Sequence, residues 1–214
     1  MSNDFLTEKV DEAVKQLVQD YKDPEIKWNK AKSSEGIQVF TRKTGKIKIN
    51  RVKAICVIDA DPEVIWKNLC EKDLRLSWDT AQKSITVLKE IDPETKHEVI
   101  HTITNPVLGG IISSREYVDV RIFQKIKEQG LYVNAGTSVT EKKAGIKKVK
   151  IKGVRGFNYP SGFVLEPLEQ GVKVCYITQS LTNGWLLTGT VNSSIPKVLW
   201  QSLKDLKNHI LQNN

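Results

Sequence analysis

The chain has 214 residues, of which 39% are hydrophobic and 27% charged, a balance that excludes a disordered chain and fits one globular domain over residues 1–214. Lys and Arg number 33 against 25 Asp and Glu, a formal net charge of +8, so anionic partners are favoured: nucleic acid, anionic lipid or acidic ligands. The longest charge-free run, residues 174–196, is too rich in Thr, Ser, Asn, Gln and Gly to cross a bilayer. The N-terminal stretch lacks the pattern of a secretory leader, and three cysteines without CxxC spacing (Cys56, Cys70, Cys175) fit a reducing compartment, so a soluble cytoplasmic protein is expected.

In chain order, residues 5–21 place Leu6, Val10, Ala13, Val14, Leu17, Val18 and Tyr21 on one helical face, and Asp23-Pro24 ends that helix. Residues 36–43 and 51–59 read as two strands around Thr44-Gly45. Asp61-Pro62-Glu63 opens a helix that runs to about Glu71, with an Asp cap and Pro at the first helical position. Three hairpins follow: 84–90 with 96–104, 117–127 with 131–140, and 162–168 with 172–181. The last element, residues 195–211, is an amphipathic helix with Ser194 as its cap and Ile195, Leu199, Leu203, Leu206 and Ile210 on one stripe. This order predicts an α+β fold in which a curved antiparallel sheet carries helices on one side. The space between the sheet and the last helix is then either filled by side chains or left as a cavity.

The positive charge is concentrated. Residues 42–53 carry six basic side chains and no acid, residues 142–155 carry seven and no acid, and the rest of the chain is net −5. Lys46 and Lys48 in the first window, and Lys148, Lys150 and Lys152 in the second, are the candidate basic surface. The alternation Lys148-Val149-Lys150-Ile151-Lys152 reads as a strand with its lysines on one face. No aromatics interleave with these lysines and no nucleic-acid motif appears, so a nucleic-acid partner is not expected.

His97-Glu98-Val99-Ile100-His101 matches the HExxH pattern of zinc proteases, whose mechanism needs a helix. Here it falls in a β-branched segment, and strand positions four apart stand about 13 Å apart, too far to share one zinc. Residues 104–113 form a loop between strands with an apolar centre, Val107-Leu108-Gly109-Gly110-Ile111, which either folds onto the core, gates a pocket or touches a membrane. Glu98 and Arg121 fall on separate strands. They are ordinary solvent-facing charges, or an inward pair, because an isolated buried charge is very costly.

Trp78-Asp79, Ser114-Arg115-Glu116-Tyr117-Val118-Asp119-Val120-Arg121, Arg155-Gly156-Phe157-Asn158-Tyr159-Pro160-Ser161-Gly162 and Gly184-Trp185 occur in an order and spacing that resembles StAR-related lipid-transfer (START) domains. The resemblance runs from Trp28 to the last helix and is nearest in feel to the small single-domain sterol-binding branch. It implies a helix-grip fold, a U-shaped sheet around a long C-terminal helix with one lipid in the tunnel between them. It also implies transfer of a sterol or similar lipid between membranes, by a monomer, without catalysis or a cofactor. The same resemblance implies ligand contacts from Glu98, Arg121, Trp78, Ile100, Thr102, Leu199, Leu203 and Leu206. It implies a membrane-touching gate at Val107, Leu108, Gly109, Gly110 and Ile111, and peripheral, transient docking on anionic membranes. Two departures stand out: residues 186–194 look longer than the usual link, and Ser114 stands where family members often have Pro. Rival readings are a binding module without transfer activity, a hydrolase or lyase-like enzyme, and a nucleic-acid binder.

Overall fold

A computed structural model describes residues 3–45, 47–185 and 187–213. The predicted first helix is α1 (Asn3–Lys22). It is followed by β1 (Asn29–Ser34), β2 (Ile37–Thr44) and β3 (Ile47–Ile58). Two short helices come next, α2 (Pro62–Cys70) and α3 (Lys72–Trp78). The Asp61 carboxylate accepts from the Glu63 N–H at 2.6 Å, with Pro62 at the first helical position, as the cap pattern predicts. The meander is β4 (Gln82–Asp92), β5 (His97–Thr104), β6 (Arg115–Ile126) and β7 (Leu131–Ser138). A four-residue helix, α4 (Glu141–Ala144), and two short strands, β8 (Val154–Arg155) and β9 (Phe157–Asn158), precede the last hairpin. That hairpin is β10 (Ser161–Pro167) with β11 (Val172–Thr178), and then come β12 (Ser180–Leu181) and α5 (Thr188–Gln212).

The main sheet runs β1-β2-β3-β11-β10-β7-β6-β5-β4, antiparallel at every step of that path. The last hairpin inserts between the N-terminal strands and the meander, so the chain's two halves share one sheet. Register shifts at three places between β4 and β5 and one between β2 and β3 bend the ends of the sheet, because each extra residue adds local twist. The result is a U whose concave face holds α5, packed mainly on β3 and β2. This is the expected α+β helix-grip architecture.

Side-chain alternation gives the sheet two cores. On the convex face, Leu6, Val10, Ala13, Val14 and Leu17 of α1 cover Val118, Val120, Val133 and Val164. On the concave face, Leu199, Leu203, Leu206 and Ile210 of α5 meet Val52, Ala54, Cys56 and Ile37. Truncating a fully buried leucine such as Leu206 costs about 2–5 kcal/mol.

Three local expectations are corrected. Residues 148–152 do not form a strand. Val149 leans on the convex core, and the Lys152 and Gly153 N–H groups bond the Glu116 carboxylate at 2.8 and 2.6 Å in place of a neighbouring strand. The last helix begins at Thr188, so Ser194 is a buried residue within it and not its cap. Residues 188–194 are poor helix formers. They are held by tertiary contacts, with Val191 buried and the Asn192 side chain bonded to the Lys48 carbonyl and the Asn50 N–H. The supposed long link is therefore mostly helix, and its first residue, Leu186, lies outside the described residues.

Candidate functional site

A cavity of about 210 Å³ lies between the concave sheet face and α5. Its helix wall is Ile195, Val198, Leu199 and Ser202, a stripe at i, i+3, i+4 and i+7. Ile85, Ile100, Thr102 and Thr104 line it from β4 and β5, and Tyr117, Asp119 and Arg121 from β6. Phe163 and Tyr176, stacked with ring centroids 4.1 Å apart, close the side where β10 meets β11.

Position along β6 sets depth. Arg115 and Arg121 both line the cavity and stand six residues apart, about 20 Å along a strand. Arg121 sits at the inner end. Glu98 is its register partner on β5, which puts both side chains on the concave face. Arg121 Nε and Nη2 donate to Glu98 Oε1 at 2.8 and 2.5 Å, and the guanidinium lies 5.1 Å from the Phe123 ring centroid. Burial depresses the Arg121 pKa, and the facing Glu98 carboxylate opposes that shift. Both bonds fall on one oxygen of Glu98, leaving Oε2 with no hydrogen bond among the described residues.

Arg115 organises the outer end. Buried and without a carboxylate partner among the described residues, it donates from Nε to the Thr182 carbonyl and from Nη2 to the Asn183 carbonyl. Its Nη1 bonds the Ser113 carbonyl and Oγ, each at 2.6 Å. One side chain thus ties the loop after β5 to the loop before α5. Within the first loop, Val107 and Ile112 bridge each other and line the cavity, while Ile111 is 55% exposed. Leu108, Gly109 and Gly110 all have positive φ, a backbone that glycine adopts without penalty and leucine does not. Ser114 Oγ donates to the Thr104 carbonyl at 2.7 Å, fixing the loop base. In the second loop Trp185 is fully exposed and Leu187 nearly so.

The sequence-predicted residues divide. Arg121, Ile100, Thr102 and Leu199 line the cavity, and Glu98 reaches it through Arg121. Leu203 and Leu206 do not line it; they are fully buried between α5 and the sheet, because the helix stripe nearest the sheet is rotated away from the stripe that faces the void. Trp78 is also a core residue: its Nε1 donates to the Asn68 carbonyl at 3.1 Å, and the Arg75 guanidinium lies 4.5 Å from its ring. Arg75, missed in the sequence, lines the cavity and donates twice to Asp79 Oδ2. A carboxylate four residues after an arginine is a readable helix pair. The HExxH segment is β5: His97 and His101 lie on the convex side, Glu98 on the concave, and His101 bonds Glu116 at 2.9 Å. No cluster of three or more His, Cys, Asp or Glu among the described residues could hold a metal.

The two basic windows behave differently. In the first, Arg42 and Arg51 donate to the fully buried Asp20 of α1. Lys53, fully buried, donates to the Asp20 and Asp23 carbonyls and sits 4.4 Å from the Trp28 ring centroid. Lys48 is exposed beside the first turns of α5, and Lys46 lies outside the described residues. In the second window Lys148, Lys150 and Lys152 are exposed, without salt bridges among the described residues. Their segment ends where β8 pairs with Arg115–Glu116, at the outer end of the cavity.

A family model described as the START domain matches residues 8–214. The chain is 25% identical to human StAR-related lipid transfer protein 6 over 86% of this chain and 82% of that one. It is 27% identical to human StAR-related lipid transfer protein 4 over 88% and 83%. The solved structure of human StAR-related lipid transfer protein 5 superposes with a TM-score of 0.89 at 21% identity, covering 99% of both chains. No helix among the described residues is long and apolar enough to cross a membrane. The cavity, the helix that grips it and the family match over nearly the whole length agree: the chain belongs to the START domain family of lipid-binding and lipid-transfer domains.

Proposed function

We propose that this protein carries one sterol or sterol-like lipid in the cavity under α5 and transfers it between membranes. The observation that supports this most is the hydrogen-bonded Arg121–Glu98 pair at the inner end of a partly apolar cavity. A lipid hydroxyl there donates to Glu98 Oε2, directly or through a water. Burying several hundred Å² of apolar ligand surface is worth several kcal/mol at about 25 cal/mol/Å².

The cavity, about 210 Å³, lies below the roughly 300–1,000 Å³ usual for drug-sized ligands. Loading therefore requires the loop at residues 104–113 and the start of α5 to move. Pro196 within α5 supplies a break, since it cannot donate to the carbonyl four residues back. Ile111, Trp185 and Leu187, all exposed, enter the bilayer interface, and the lysines near them add about 1 kcal/mol each at an anionic leaflet.

Vesicle-to-vesicle transfer of a fluorescent sterol tests this. In Leu108→Asp, transfer is expected to fall about tenfold, as a charge is driven into the interface, while saturable sterol binding persists. Unchanged transfer overturns the gate. Saturable binding in the wild type with no acceleration of transfer favours the rival reading, a binding module or sensor.

A further inference from the structure

The cavity surface is mostly apolar, yet polar side chains reach it at more than one depth, whereas a site for a plain hydrocarbon body needs only a few. The Arg121–Glu98 pair accounts for one polar end of a ligand. It does not account for Asp119. Asp119 is the next concave-facing residue of β6, one inward position nearer the outer end than Arg121, about 7 Å along the strand.

Its carboxylate is held by neutral groups. Ser138 Oγ donates to Oδ1 at 2.5 Å, and Asn158 Nδ2 donates to Oδ2 at 2.8 Å. Asn158 Oδ1 accepts from Ser180 Oγ at 2.5 Å, and Ser180 Oγ lies 3.1 Å from Thr178 Oγ1. Thr178 Oγ1 is in turn 3.1 Å from Ser161 Oγ. Asp119, Asn158, Ser180, Thr178 and Ser161 all face the cavity, so this is a continuous hydrogen-bonded chain along one wall. Asp119 has no salt-bridge partner among the described residues. Burial pushes its pKa up, against the hydrogen bonds from Ser138 and Asn158 and the more distant charges of Arg155 and Arg121. Each carboxylate oxygen has taken one donor and keeps a further lone pair.

We infer that the Asp119–Asn158–Ser180–Thr178 chain is a second polar subsite, which selects a lipid with a hydroxyl part-way along its body as well as one at its end. The inference rests on the lipid-carrier reading above and deepens it. With Arg121–Glu98 holding the terminal group, a mid-body oxygen falls one rung away, beside Asp119. A ligand hydroxyl there donates to a remaining lone pair of Asp119, whereas a ligand without it lays hydrocarbon against the carboxylate and strips solvent from it with no donor in return, which weakens binding.

Equilibrium binding of radiolabelled cholesterol and 7α-hydroxycholesterol to the full chain tests the subsite. The wild type is expected to bind the dihydroxylated sterol about tenfold more tightly. Asp119→Leu is expected to erase that preference to within about twofold. Thr178→Val removes one hydroxyl without exposing a charge and is expected to reduce the preference about threefold. Thermal melts identify folded variants. Equal wild-type affinities, or a preference undiminished from wild type in folded Asp119→Leu or Thr178→Val protein, overturn the subsite and leave the sterol reading standing. Failure of both sterols to bind overturns the sterol reading and the subsite with it.

Discussion

Residues 42–53 and 142–155 look alike in the sequence and do opposite work in the fold. The first window is half internal: Arg42, Arg51 and Lys53 converge on the C-terminal end of α1 at Asp20, Asp23 and their carbonyls. The second faces out, with Lys148, Lys150 and Lys152 exposed on an irregular segment that ends at the outer rim of the cavity. Net charge summed over a window says nothing about which cations are already paired. Fewer of the first window's six cations are free to meet a membrane than their count suggests, and the exposed lysines of the second stand near the proposed mouth.

Exchanging the perturbation between the windows sharpens this contrast. The largest effect is expected from Asp20→Ala. It strands Arg51, whose Nη2 is already buried without a partner, and removing one partner of a buried pair costs about 3–5 kcal/mol. Urea denaturation should show that loss, with vesicle association by the surviving folded protein unchanged. A loss below about 1 kcal/mol would mean that the cluster behaves like a surface ion pair. A smaller effect, of the opposite kind, is expected from the combined Lys148→Ala, Lys150→Ala and Lys152→Ala protein. Its stability should stay within about 0.5 kcal/mol of wild type, while association with anionic vesicles drops by at least about tenfold at low salt. That drop should shrink near physiological salt, where the screening length is about 8 Å. The smallest effect is expected from Lys48→Ala alone, about 1 kcal/mol or less in vesicle association.

The hairpins and the first helix were legible because turn residues and hydrophobic spacing are local signals. The start of α5 was not, since residues 188–194 are helical through Asn192 and Val191 and not through propensity. The fate of the first basic window was hidden for a similar reason: Asp20 lies 31 residues before Arg51, beyond any window count. In the site, strand positions left Glu98 and Arg121 as solvent-facing charges or an inward pair, and only the resemblance implied that they pair; stepping back by two from Arg121 gives Asp119 and Tyr117. The residues that complete the Asp119 chain could not be found this way. Asn158 and Ser180 meet only because β9 pairs with β12, and neither two-residue strand carries a periodic signal. Gly156 is a further hidden constraint: a Cβ there would stand 2.2 Å from the Tyr117 ring, so the wall closes only around glycine at that position.

Native mass spectrometry of the purified protein with its co-purified lipid, wild type beside the Arg121→Leu, Glu98→Leu double variant, tests the central claim most directly. The double replacement removes both charges together, so neither is stranded in the interior. The account predicts one sterol-class lipid per wild-type chain and its loss from a variant that still melts cooperatively. A wild-type chain that carries no lipid, or a folded double variant that retains the same sterol at the same occupancy, would contradict it.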